Sequence, residues 1–172
     1  LGEYYHSGRE TGKQKSPSEY AQDLVEFMDE LHEQYDNRIV YVYLDPSAKG
    51  LAEEVKRATR TGLNYQVILR DAENNVALGI SRVQKLLMFD ILSISPNQDN
   101  AIREFGVYEY DKKSIEKGKE VPVKESDHCM DAIRYAVMGA WSRVKHWLPR
   151  DTDEAVILEN PLDREVIDDE YI

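Results

Sequence analysis

Apolar residues recur along this chain at two distinct spacings, and the alternation of the two predicts its elements. Between Ser16 and Tyr35, the residues Ala21, Leu24, Val25, Met28, Leu31 and Tyr35 fall three or four apart, the spacing of one helical face. Ser16-Pro17-Ser18-Glu19 supplies the start of that helix, with proline early in the first turn. Ile39-Val40-Tyr41-Val42-Tyr43-Leu44 is instead a nearly continuous β-rich run, which suits a central strand covered on both faces. Asp45-Pro46-Ser47 ends it. The pattern then predicts a helix over 48–60, a strand at Tyr65-Gln66-Val67-Ile68-Leu69, a helix from Val76 to Phe89 and a short strand at Ile91-Leu92-Ser93-Ile94. Pro96-Asn97-Gln98-Asp99 opens a short helix through Phe105. Strand and helix alternating at this pitch mean an α/β sheet with parallel crossovers.

The two ends of this succession are less regular. Leu1 to His6 reads as a strand with no turn or cap before it, and Gly8 to Lys15 as a polar, mobile loop. Val107 to Val123 carries Lys112, Lys113, Lys117 and Lys119 around a Lys-Gly-Lys turn and reads as a β-hairpin or long loop. It leads into Ser126-Asp127-His128-Cys129-Met130-Asp131-Ala132-Ile133-Arg134-Tyr135, the start of the last long helix. Ser126 or Asp127 is expected to cap that helix. Met130, Ile133, Val137, Trp141, Val144 and Leu148 then form its packing stripe.

Length and charge add boundaries to this picture. A chain of 172 residues is one domain able to bury a real core. No run approaches the ~20 apolar residues of a membrane span, and no stretch resembles a signal peptide. One cysteine, Cys129, rules out an internal disulfide and fits a reducing, cytoplasmic setting. The net charge of −11 is uneven: residues 151–172 hold nine acids against one base, Arg164. The organisation expected is therefore a domain over 1–150 and an acidic tail over 151–172.

The chemistry concentrates at two places. Asp45 stands at the carboxyl end of the predicted central strand, where open α/β sheets place their sites. It can equally cap the following helix with Ser47. Asp127, His128 and Asp131 share one side of a first helical turn, where carboxylates also complement the helix dipole. Asp131 borders the apolar stripe, and a half-buried carboxylate needs a partner such as a divalent cation. Oxygen ligands from two elements favour Mg²⁺ or Mn²⁺, and two such ions can activate water against a phosphodiester. A zinc site lacks soft ligands, and neither GxxxxGK[ST] nor GxGxxG occurs. Cys129, between His128 and Met130, points away from the acids and is a poor nucleophile candidate.

Tyr41-Val42-Tyr43-Leu44-Asp45-Pro46-Ser47-Ala48 followed by Asp127-His128-Cys129-Met130-Asp131-Ala132-Ile133-Arg134-Tyr135 resembles the nuclease domain of the large terminase subunit of tailed bacteriophages, in the group typified by the Bacillus phage SPP1. Gly2-Glu3-Tyr4-Tyr5 and Arg103-Glu104-Phe105 extend the resemblance over most of 1–147. It implies an RNase H-like (integrase-type) fold, a mixed central sheet flanked by helices, with the lysine-rich hairpin added. It implies a two-metal endonuclease, using Mg²⁺ or Mn²⁺, that cuts concatemeric double-stranded viral DNA during genome packaging in the host cytoplasm. By the same resemblance Asp45, Asp131 and His128 are metal ligands or acid/base groups, with Asp127 and Glu3 weaker candidates. The family's first carboxylate lies on a strand upstream of this chain, so a first strand is expected to be missing, as is the ATPase motor domain. The portal and the small terminase subunit are the implied partners of the whole protein.

Arg9, Lys13 and Lys15 in the first loop, and Lys112, Lys113, Lys117, Lys119 and Lys124 around the hairpin, are the residues expected to meet DNA phosphates. Another RNase H-like nuclease, a resolvase or transposase, is the near alternative. From other classes come a non-catalytic docking module using the acidic tail, and a receiver-like module with Asp45 as phospho-acceptor, which lacks paired acids near a first strand.

Overall fold

The computed structural model describes residues 2–36 and 38–149; the acidic segment 151–172 lies outside the described residues. The long helices form where the apolar spacing predicts. α1 (Gly8–Thr11) is followed by α2 (Pro17–Tyr35), β1 (Tyr41–Leu44), α3 (Lys49–Gly62), β2 (Ile68–Asp71) and α4 (Val76–Met88). α5 (Asp99–Phe105), α6 (Lys112–Ile115) and α7 (His128–Val144) complete the order, with a 3-10 turn at Lys145–Trp147. α2 begins with a capping box: Ser16 accepts from the Glu19 N–H, and the Glu19 side chain accepts from the Ser16 N–H. α4 is capped by Asn75, whose Oδ1 accepts from Leu78 N at 3.1 Å.

β1 and β2 pair in parallel, Tyr41 opposite Ile68 through Leu44 opposite Asp71. Among the described residues this is the whole sheet, so the architecture is α/β with a small parallel sheet rather than the mixed central sheet expected. Two four-residue strands are marginal alone, and helices supply the apolar cover. α2 and α3 pack together through Val25, Met28 and Val55, with Val25 seated over Gly62. α4 packs on α7 through Val83, Leu86 and Val137, with Ile133, Trp141, Val144 and Leu148 around them. Burying such aliphatic side chains contributes roughly 1.5–3 kcal/mol each.

Several expectations change where local pattern meets tertiary packing. The segment from Gly2 to His6 is not a strand: Gly2 lies against Phe27 and Leu31 of α2, and Glu3 is bonded to α5. The first loop contains a helical turn, α1, capped by Ser7 and closed by Gly12 at φ 67. The second strand begins at Ile68, three residues later than the apolar run suggests. Ile91 to Ile94 forms no strand; the N–H groups of Ile91 and Leu92 both bond Leu86 O, folding the chain back onto the end of α4. The hairpin reduces to a single antiparallel bridge, Tyr110 with Pro122, because α6 occupies the ground between them. No helix among the described residues is long and apolar enough to cross a membrane.

One close approach matters for the site. Gly79 of α4 lies so near Arg134 of α7 that a Cβ there would collide with the Arg134 side-chain stem. Arg134 is 1% exposed and has nowhere to retreat. Overpacking costs about 1–3 kcal/mol, against about 1 kcal/mol of gained helix propensity. Gly79→Ala is therefore expected to lower the urea unfolding free energy by about 1–2 kcal/mol. An unchanged or raised midpoint would mean that the Arg134 stem is free to move.

Candidate active site

Asp45 follows the last residue of β1, and its carboxylate is gripped at both oxygens. Its Oδ1 accepts from Ser47 N at 2.7 Å and Ser47 Oγ at 2.6 Å, and its Oδ2 accepts from Tyr135 Oη at 2.7 Å. The Ser47 bonds close a turn of the kind short acidic side chains make with the backbone two residues on. They do not cap α3, whose first turn receives no side-chain bond. The Ser47 hydroxyl, then the Tyr135 hydroxyl and the Ser47 N–H, hold the Asp45 carboxyl below its ordinary range. Burial, and then its bond to Asp45, pushes the Tyr135 phenol up to about 12.

Asp131 stands in the first turn of α7, half-buried, with Oδ1 accepting from Arg134 Nη2 at 2.6 Å. The sequence expectation that Ser126 or Asp127 caps this helix is corrected. Asp127 occupies the cap position but makes no side-chain cap bond, and Ser126 has φ 51. The cap comes from another element. Glu104 of α5, fully buried, accepts from Cys129 N at 2.6 Å and Met130 N at 3.4 Å. An anion at the positive end of the helix dipole satisfies donors that the local sequence leaves open.

β1 and α7 meet along a cavity of about 440 Å³ whose lining includes Asp45, His128 and Asp131 together with Tyr41, Tyr43 and Tyr135. The structure thus brings together the three residues singled out from the sequence. His128 is exposed at its rim. The weaker candidates lie elsewhere. Asp127 turns to Lys124 at 3.8 Å, and Glu3 accepts from Asn100 N, Asn100 Nδ2 and Ala101 N, capping α5. Cys129 is buried behind α7, 3.9 Å from Glu3, and burial pushes its thiol up to about 12, so it remains protonated and unreactive. Of the basic candidates, Lys13 pairs with Glu19 and Lys15 with Asp23. Arg9, Lys112, Lys113, Lys117 and Lys119 are exposed and have no ion-pair partner among the described residues.

The donor set fits a hard divalent cation. Asp45 Oδ1 takes two hydrogen bonds, but Asp45 Oδ2 and Asp131 Oδ1 take one each and keep a lone pair, and Mg²⁺ is commonly held by one or two carboxylates with waters and substrate phosphate filling the rest. Among the described residues no group of three or more His, Cys, Asp or Glu side chains is placed to hold a metal ion by itself, so Asp45, His128 and Asp131 are at most part of a coordination set. Sequence reasoning missed Glu104, Tyr135 and Ser47 as parts of this site. A signal for Glu104 was present: it shares a helical face with Ala101, a carboxylate in an apolar row that needs a partner.

No family model matches the chain, and no curated protein does. Solved structures do. The large terminase of a thermophilic bacteriophage, in complex with ADP, matches 79% of this chain with 29% identity and a TM-score of 0.68. A second crystal form of that protein matches 78% with 30% identity and the same TM-score. Its complex with ATP-γ-S matches 78% with 30% identity and a TM-score of 0.67. The chain spans about three tenths of the length of these terminases, 31% in the first case. It is similar to that portion of a phage large terminase in both fold and sequence.

Glu104→Ala leaves two buried N–H groups without an acceptor and opens a void. Each bond to a charged group is worth about 1.5–3 kcal/mol. The variant is expected to lose about 2–4 kcal/mol in chemical denaturation, and Glu104→Gln, which keeps one acceptor oxygen, less. Equal stability of wild type and Glu104→Ala would remove this residue as the cap of α7.

Proposed function

We propose that this chain is the nuclease part of a bacteriophage large terminase, an RNase H-like, metal-dependent endonuclease that cuts concatemeric double-stranded viral DNA as genomes are packaged in the host cytoplasm. The observation that carries the reading is the shared cavity: Asp45 from the end of β1 and Asp131 from the first turn of α7 both line it, with His128. The similarity to large terminases supports it. The nucleotides in those structures belong to proteins about two and a half times as long, and this chain has no GxxxxGK[ST] to cradle phosphates. That favours the nuclease over the motor portion.

Asp45 and Asp131 hold the ions in this reading, each offering oxygen lone pairs left open by its hydrogen bonds. Bound there, Mg²⁺ or Mn²⁺ (two ions, by analogy with the family) supplies an activated water and stabilises the leaving oxygen of a phosphodiester. His128, exposed at the rim, is placed to move a proton to or from solvent. Lys112, Lys113, Lys117 and Lys119 stand on α6 and the turn after it, in the segment joined directly to α7, where they can meet the duplex backbone. The portal, the small terminase subunit and an ATPase motor domain are the partners this reading assigns to the whole protein.

The test is cleavage of supercoiled plasmid with Mn²⁺ or Mg²⁺ and an EDTA control. Asp45→Asn and Asp131→Asn are each expected to reduce nicking by at least about 100-fold. Asn at 131 retains an oxygen for Arg134, so circular dichroism should show both variants folded. Metal-dependent cutting that survives in both would sink the assignment. For the lysines, replacing Lys112, Lys113, Lys117 and Lys119 together by Gln should flatten the dependence of log affinity on log salt by about 0.9 per lost phosphate contact. An unchanged slope would clear that segment of DNA contact.

A further inference from the structure

Within Asp-His-x-x-Asp-Ala-x-Arg-Tyr, the last two residues are so far without a role, and their side chains are not spare. Neighbours on a helix project roughly 100° apart. Arg134 is directed toward α4 and Asp131, and Tyr135 toward β1 and Asp45. One helix therefore ties down both acids of the cavity with consecutive residues. The Tyr135 tie is the more informative. Its ring is 8% exposed, held beneath the Arg134 guanidinium at 4.7 Å, and its hydroxyl reaches 2.7 Å to Asp45 Oδ2 across the gap between α7 and β1.

Ser47 alone, on the exposed turn after β1, would leave the Asp45 carboxylate free to swing about its last bond, because both Ser47 donors meet the same oxygen, Oδ1. A second donor on Oδ2, from a different element, removes that freedom. We infer that Tyr135 is a positioning residue: its hydroxyl fixes the orientation of the Asp45 carboxylate, so that the lone pair left on Oδ2 is presented to the cavity shared with Asp131 and His128. The inference rests on the metal-centre reading above. Partners that orient a ligand in this way typically change metal affinity or activity by 10–100-fold when removed. They matter most for an ion with strict geometric demands such as Mg²⁺.

The experiment is direct Mn²⁺ binding without DNA, with free ion counted by electron paramagnetic resonance, on the full chain and on Tyr135→Phe, Ser47→Ala, their double variant and Asp45→Asn. Phe keeps the ring and its contact with Arg134, and loses only the hydroxyl. Tyr135→Phe is expected to weaken Mn²⁺ binding about tenfold, with Ser47→Ala acting in the same direction and the double variant weaker than either. Asp45→Asn should weaken it most. Should Tyr135→Phe fold poorly at ambient temperature, all variants are compared at a reduced temperature at which circular dichroism shows it folded. Unchanged affinity in Tyr135→Phe, with loss in Asp45→Asn, would overturn the positioning role and leave the metal centre standing. Wild-type protein that binds no Mn²⁺, or binds it equally well as Asp45→Asn, would overturn both.

Discussion

The bond from Cys129 N to the buried carboxylate of Glu104 is the contact on which the geometry of the site depends. A helix start is a set of unsatisfied donors with a partial positive charge, and α7 begins in the interior, where water cannot serve them. Had Asp127 or Ser126 capped it locally, the direction of the first turn would be set by the preceding segment alone. Because the acceptor belongs to α5, the start of α7 is pinned to a second element. α5 is in turn held by Glu3, whose carboxylate takes the first N–H groups of that helix. Two buried or half-buried acids thus hold two helix starts in series, and Asp131 stands one turn beyond the second.

From that anchor the rest follows by packing. α7 lies along β1 through small residues: Ala132 and Ala136 line the cavity beside Tyr41 and Tyr43, and Gly139 lets the Tyr43 ring reach the helix backbone. On its other side Gly79 admits Arg134. The helix is therefore clamped between a strand and α4, with a glycine receiving a large side chain at each closest approach. This rigidity gives a two-carboxylate site meaning. Asp45 and Asp131 come from elements far apart in sequence, and only a fixed helix–strand separation would let them serve one ion in the proposed reading.

Much of this was legible in the sequence where the signal is local. The apolar rows of α2, α4 and α7 survive almost unchanged, since a helical face buries itself wherever the helix docks. Asp45 and Asp131 were recognisable for the same reason, one ending a β-rich run and the other interrupting an apolar stripe. Partnering was not legible. Ile91 to Ile94 has strand composition but closes onto the carbonyl of Leu86, because β-propensity records a fit to a neighbour that the chain here does not offer. Gly2 to His6 likewise trades strand pairing for packing on α2. In the sequence Glu3 is a weak metal candidate and Glu104 has no assigned role, and only the folded chain shows that they are caps.

The charge balance around the cavity completes the argument. Arg134 is a nearly inaccessible cation whose Nε and Nη1 find no acceptor among the described residues, and its one ion-pair partner there is Asp131. A buried guanidinium with no acceptor is costly, so an oxygen at position 131 stabilises the fold whatever else Asp131 does. That alone is a sufficient structural reason for this acid and no evidence of chemistry. Asp45 is different. It neutralises no buried base: its partners are a serine and a tyrosine, both neutral donors that keep it ionised and oriented. Holding a carboxylate charged beside an open cavity, at the cost of burying a tyrosine hydroxyl to aim it, does not help the fold as an ion pair would. In the proposed reading a cation supplied from outside would give that arrangement its purpose, and Asp131, whose Oδ1 alone is bonded to Arg134, would have an oxygen left to share in holding it.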